Sequence, residues 1–163
     1  EITLDGALRA LQAIEYSTLY TNKQILPAAG ISAAAWAIMF GGGIADFFIA
    51  FATAVVVELL TQWMTKRQVH GYMATLLCSF VSTILPQLVC HALQTGSPEA
   101  CIAGALMPLL PGLAMTNAIQ DTMRGDIVSG VAHGMNAILS AGMIAGGTLC
   151  ASSLFHLLIG GLM

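Results

Sequence analysis

Between Pro27 and Lys66 the chain carries only two charged residues, Asp46 and Glu58, and the apolar stretches that follow are as sparse. Each stretch comes close to the roughly 20 residues a helix needs to cross a bilayer. Water-soluble domains carry charge on about a quarter of their residues. Here 8% are charged and 57% hydrophobic, with a mean hydropathy of +0.83. A chain of 163 residues has too little interior to hide that much apolar surface from water. The fold class that follows is an all-α membrane protein. A formal charge of −3 gives no ground for expecting nucleic acid as a partner.

The pattern predicts a bundle of about five transmembrane helices, over residues 27–43, 45–64, 71–93, 99–123 and 127–149, with an apolar tail at 150–163. The stretch from Ile127 to Met163 is longer than one crossing requires. It is either one bent helix or a span ending near Gly146 and Gly147 with a surface tail. Residues 1–25 read differently. Leu4, Leu8, Leu11, Ile14 and Leu19 recur near helical spacing among Asp5, Arg9, Glu15 and Lys23, as in an interfacial amphipathic helix. That segment is unlike a signal peptide, and a start at Glu1 rather than Met suits a fragment or processed chain. Pro27 is expected in the first turn of the next helix, where its missing N–H matters least.

Charge sets the orientation. With the N-terminus in the cytoplasm, Arg9, Lys23, Lys66, Arg67 and Arg124 all fall inside, and the outer turns Gly41–Asp46 and Gln94–Ala100 hold no Lys or Arg. That obeys the positive-inside rule, and Trp63 and Tyr72 flank the inner turn as interfacial aromatics.

The fourth span is interrupted by MPLLPG, residues 107–112. Pro108 offers no N–H to the carbonyl of Gly104, and Pro111 none to that of Met107. The half-helix after Gly112 would present N–H groups and the positive end of its dipole near mid-membrane, where a substrate carboxylate could bind. The alternative is a plain proline kink satisfied by neighbouring helices. On the fifth span Ser129, His133, Asn136 and Ser140 are spaced 4, 3 and 4 and share one face, which should look into the bundle. For Ser129 and Ser140 the reading is helix-to-helix hydrogen bonding. For His133 and Asn136 it is either that or a solute pathway, and imidazole changes charge near neutral pH. Gly130 with Gly134, and Gly142 with Gly146, are pairs that permit close helix approach.

Glu58 sits about two turns from the inner end of its span. A carboxylate taken out of water favours its protonated form and can carry a proton. Alternatively it reaches the interface and pairs with Lys66 or Arg67. Asp46 and Asp126 read as helix N-caps, Gly125 as the end of the fourth helix, and Asp121 with Arg124 as a pair at the cytoplasmic edge. Cys78 and Cys150 read as small core residues, and Cys90 and Cys101 flank an outer turn where a disulfide is possible. The four cysteines lack metal-ligand spacing, and His91 beside Cys90 adds only a weak hint. The nine methionines read as core filler rather than copper ligands. No catalytic motif, phosphate loop or cofactor signature is visible, and GGGIAD lacks the lysine of a phosphate-binding loop. The chain is not expected to be an enzyme, and no metal or cofactor is expected.

The run PLLPGLAMTNAIQDTMRGDIVSGVAHG, together with FGGGIAD at the first hairpin, resembles the bacterial threonine/serine exporter family. The resemblance covers essentially the whole chain and is strongest over residues 107–134. It implies five membrane helices after a cytoplasmic region, in the inner membrane, working with a second, smaller membrane half; an oligomer is expected besides. It also implies export of threonine and serine on the proton motive force, with dicarboxylate export of the succinate type as the alternative. A second alternative is a non-transporting assembly subunit. The motif positions that match are Pro108, Pro111, Gly112, Asn117, Asp121, Gly125, Ser129 and Gly130. The family often has a basic residue, Arg above all, where this chain has His133. The substrate-binding candidates are therefore Pro108, Pro111, Gly112, Asn117, Asp121, Ser129, His133 and Asn136, and the proton-coupling candidates Glu58 and His133.

Overall fold

A computed structural model describes residues 22–160, and among these every regular element is helical. The order is α1 (Asn22–Met39), α2 (Ile44–Lys66), α3 (Gly71–Leu93), α4 (Pro98–Leu106), a 3-10 turn (Met107–Leu109), α5 (Gly112–Met123) and α6 (Ile127–Gly160). Helices α2, α3 and α6 are long and apolar enough to cross a membrane, and α4 with α5 pass the same test as a pair bent by 54°, the geometry of a broken span or a re-entrant loop. The apolar part of α1, Gln24–Met39, is shorter. The all-α membrane fold and the broken fourth helix are as the sequence predicts.

Two boundaries differ. The amphipathic helix expected over 1–25 lies outside the described residues up to position 21, and residues 22–25 already belong to α1. Pro27 therefore sits inside α1, past its first turn, where its ring forgoes one helical hydrogen bond. The apolar C-terminal stretch is one helix: α6 runs unbroken through Gly146 and Gly147 to Gly160.

Small residues bring these helices together. In hydrocarbon there is little hydrophobic drive between helices, so close backbone contact has to supply the attraction. Ala33, Ala34 and Ala37 of α1 are fully buried, and a Cβ placed on Gly104 of α4 would lie 2.8 Å from the amide nitrogen of Ala37. On the other side α6 packs along α3, where Gly147 leaves no room for a Cβ against Ser79 and the carbonyl of Leu76. The outward faces carry Ile44, Leu113, Met123, Val128 and Leu157, all strongly exposed, as lipid-facing residues should be.

At the end opposite the Lys66–Arg67 turn, one carboxylate ties three elements together. Asp46 is only 3% exposed. It is not the N-cap of α2 that its position after three glycines suggested. That place belongs to Gly43, and Asp46 lies in the first turn. Its Oδ2 accepts the Gly43 N–H at 2.7 Å, and its Oδ1 accepts the N–H of Ser97, the N-cap of α4, also at 2.7 Å. The positive ends of two helices thus converge on one buried anion, which offsets the cost of taking it from water. Gly96, at φ +84°, lets the α3–α4 turn pass that close, since a Cβ there would collide with the Asp46 carboxylate.

Candidate functional site

The two prolines of the break act differently. Met107, before Pro108, stays helical at φ −54° and ψ −44°, and Pro108 rides inside the 3-10 turn. Leu110, before Pro111, is driven to ψ 135°, the extended region a following proline imposes. Pro111 therefore ends the helix, and Gly112 turns the chain by donating its N–H to the Leu110 carbonyl at 2.8 Å. No side chain caps the N-terminus of α5, and the space beside Gly112 is open to 4 Å. We expect Pro111→Ala to let Leu110 return to helix and straighten the break, while Pro108→Ala leaves the bend in place. The angle between α4 and α5, read from the distance between paired spin labels on the two helices, measures both.

The break brings Glu58 to it. A cavity of about 120 Å³ lies where α1, α2 and α4 meet, lined by Ala29, Glu58, Thr61, Ala105, Pro108 and Leu109 among others. It is below the roughly 300 Å³ at which ligand clefts begin, and it has room for a few waters. Glu58 does not pair with Lys66 or Arg67. Its Oε1 accepts the Gln62 amide at 3.1 Å, while Arg67 lies over the Trp63 ring at 5.3 Å. Among the described residues Glu58 enters no ion pair. Sequence reasoning missed Thr61, one turn beyond Glu58, whose hydroxyl meets the Cys78 sulfur at 3.2 Å.

The polar stripe of α6 lies against α5 and α3 rather than against this cavity. His133 Nε2 stands 3.6 Å from Asp121 Oδ2, so Asp121 pairs with His133 and not with Arg124. Asn136 accepts the Tyr72 hydroxyl at 3.1 Å, a partner the sequence did not single out. The stripe is only partly covered, with Asn136 exposed and Ser129, His133 and Ser140 half-buried. Ser129 donates its N–H to Asp126 Oδ1, which caps α6 as expected, and Gly125 at φ +88° ends α5. Asn117 is exposed on α5. The structure thus unites Pro108 with Glu58, and Asp121 with His133, and does not join the two groups.

Several smaller expectations change. Gly130 fits tightly against Ala118 and Thr122 of α5, but Gly142 and Gly146 approach nothing, and Gly147 makes the close contact with α3. Cys78 is buried as expected, whereas Cys150 is exposed, and Cys90 and Cys101 are free thiols. Pro86, buried inside α3 beside the buried hydroxyls Ser79, Ser82 and Thr83, went unremarked, although three hydroxyls within five residues were a readable signal.

Residues 1–155 match a protein-family model described as "Putative threonine/serine exporter". A "Threonine/serine exporter" of Corynebacterium glutamicum is 29% identical over 131 residues, covering 76% of this chain and 27% of that protein. Two proteins named "Probable succinate transporter subunit YjjP" also align. The one from Klebsiella aerogenes is 26% identical over 105 residues, and the one from Escherichia coli strain K12 is 25% identical over 105 residues. Each covers 64% of this chain and 41% of the relative, so the chain spans less than half the length of these proteins. No solved structure matches.

Proposed function

Because the chain belongs to the threonine/serine exporter family, we propose that it forms the larger membrane part of a secondary exporter of small polar carboxylates, threonine and serine first, driven by the proton motive force. It would sit in the bacterial cytoplasmic membrane with its N-terminus inside, beside a second, smaller membrane half. One observation carries most weight. The helix break sets Pro108 and Leu109 against Glu58, a half-buried carboxylate in no ion pair among the described residues, at a small and mainly apolar cavity. Intramembrane carboxylates are costly, and in transporters they mark proton and substrate paths.

The residues divide the labour. The cavity at Glu58 suits water and a proton rather than an amino acid. A substrate carboxylate would meet the N-terminus of α5 at the N–H groups that follow Gly112, whose own N–H is held by Leu110, with Asn117, Asn136, His133 and Ser129 offering hydrogen bonds along α5 and α6. The relatives named for succinate transport favour a second reading, a dicarboxylate exporter half with the same architecture. A third reading, an assembly subunit, is favoured by α5, which buries no residue and packs chiefly on α6.

The experiment is efflux of threonine, serine and succinate from cells expressing this chain with its smaller half, with and without an uncoupler. Uncoupler-sensitive efflux of one of the three, lost when this chain is omitted and lowered by Asn136→Ala, is the expected result. Flux indifferent to the uncoupler would point to a passive pore, and efflux that persists without this chain would reduce it to an assembly role.

A further inference from the structure

The turn tied by Asp46 holds more than hydrogen bonds. The carboxylate of Asp46 and the sulfurs of Cys90 and Cys101 lie within 4.8 Å of one another, and all three residues are buried. They come from three elements: Asp46 from the start of α2, Cys90 from the last turn of α3, and Cys101 from the first turn of α4. We propose that these three side chains form a binding site for a single soft or borderline divalent cation of the zinc class.

Two thiolates and one carboxylate select for such an ion over magnesium or calcium, which prefer all-oxygen shells. The spacing is close to what tetrahedral coordination needs. The Cys101 Sγ and Asp46 Oδ1 stand 3.3 Å apart. Ligands at ordinary zinc–sulfur and zinc–oxygen distances would be about 3.6 Å apart, so a shift of a few tenths of an ångström admits the ion. Access is from one side. Cys101 is fully enclosed, while Cys90 lines an open cleft of about 540 Å³ shared with Gln87, His91, Gly96 and Phe155. Gln87 Oε1, buried and without a hydrogen-bond partner among the described residues, belongs to that cleft and offers an acceptor to a water completing the shell. His91 stays outside the three-donor cluster, its ring set edge-on to Phe155.

The step balances without an oxidant. The ion takes the two sulfur lone pairs as the Cys90 and Cys101 thiols release two protons to water, and the thiol bond of Cys101 to Asp46 is replaced by a bond of each to the metal. Asp46 keeps its two backbone partners, since each carboxylate oxygen can accept more than one bond. The bound ion would clamp α2, α3 and α4 at one end of the bundle.

The test titrates cadmium ion, a spectroscopic substitute for zinc, into the full chain in detergent under a thiol-free reductant. A thiolate-to-cadmium ultraviolet band saturating at one ion per chain is expected, with two protons released and a higher Tm. Cys101→Ser should abolish band and shift, and Cys90→Ser, on the open side, should do the same if Cys101→Ser does not fold. Cys78→Ser and Cys150→Ser should keep both. Absence of a band in the unsubstituted chain, or its survival in Cys90→Ser, overturns the site. So does recovery of Cys90 and Cys101 as a disulfide from membranes, which would make the pair a redox element instead.

Discussion

Glu58→Gln is expected to lower uncoupler-sensitive efflux by about tenfold or more while leaving the chain folded and in the membrane. The substitution is close to isosteric. It keeps a carbonyl oxygen where Glu58 Oε1 accepts the Gln62 amide, and it keeps the volume of the cavity beside Pro108 and Leu109. What it removes is the ability to take up and release a proton. A structural role for Glu58, as a mere partner of Gln62, predicts little change, because an amide fills it equally well. Two readouts separate the cases. Efflux with a proton gradient should fall, while exchange of labelled for unlabelled substrate without a gradient should survive. Glu58→Asp, which keeps the acid on a shorter stem, should recover part of the loss. Full gradient-driven efflux in Glu58→Gln would remove Glu58 from the proton path.

The second large effect concerns folding, and a matched pair of neighbours displays it. Gly147→Ala places a methyl group against the Ser79 hydroxyl and the Leu76 carbonyl, and 3.0 Å from the Phe80 nitrogen. Two of those atoms are backbone, so α3 and α6 would have to separate. Overpacking of this kind costs roughly 1–3 kcal/mol, and a backbone-lined site belongs at the upper end. Gly146→Ala meets nothing within 4 Å. There the methyl group should be neutral, or stabilising by up to about 1 kcal/mol through helix propensity. Thermal unfolding in detergent, followed by size-exclusion chromatography, would measure both. Equal stability of the two variants would mean that α3 and α6 do not meet at Gly147.

Those neighbours also mark what the sequence could and could not disclose. The all-α membrane class and the interruption at Pro108–Gly112 follow from local rules of hydropathy and proline sterics, and they were legible. Which glycine of a run touches another helix depends on the rotation of that helix about its axis. A stripe of Gly142 and Gly146 looks as suitable as Gly147 until α3 is in place. Partners were hidden for the same reason. Asp121 has Arg124 one turn away in sequence, yet its carboxylate meets His133 across the α5–α6 turn. Asp46 could be read as a cap because capping is local. Its second hydrogen bond, to Ser97, crosses 51 positions and required the fold. Glu58 was chosen for its chemistry alone, and its nearness to Pro108 is what the structure adds.

The packing order has a mechanical consequence. Helix α5 packs chiefly on α6, and α6 in turn along α3, while the break at Leu110–Gly112 joins α5 to α4. The half-helix is therefore held from one side only, joined to α4 through Pro111 and resting on α6. With 34 residues, α6 is about 50 Å long against a hydrocarbon layer of about 30 Å. Its far half lies along α3, where Gly147 meets Ser79, Ser152 meets Gln87 and Phe155 meets His91, so α6 is a strut that carries α5 at one end and is fastened to α3 at the other.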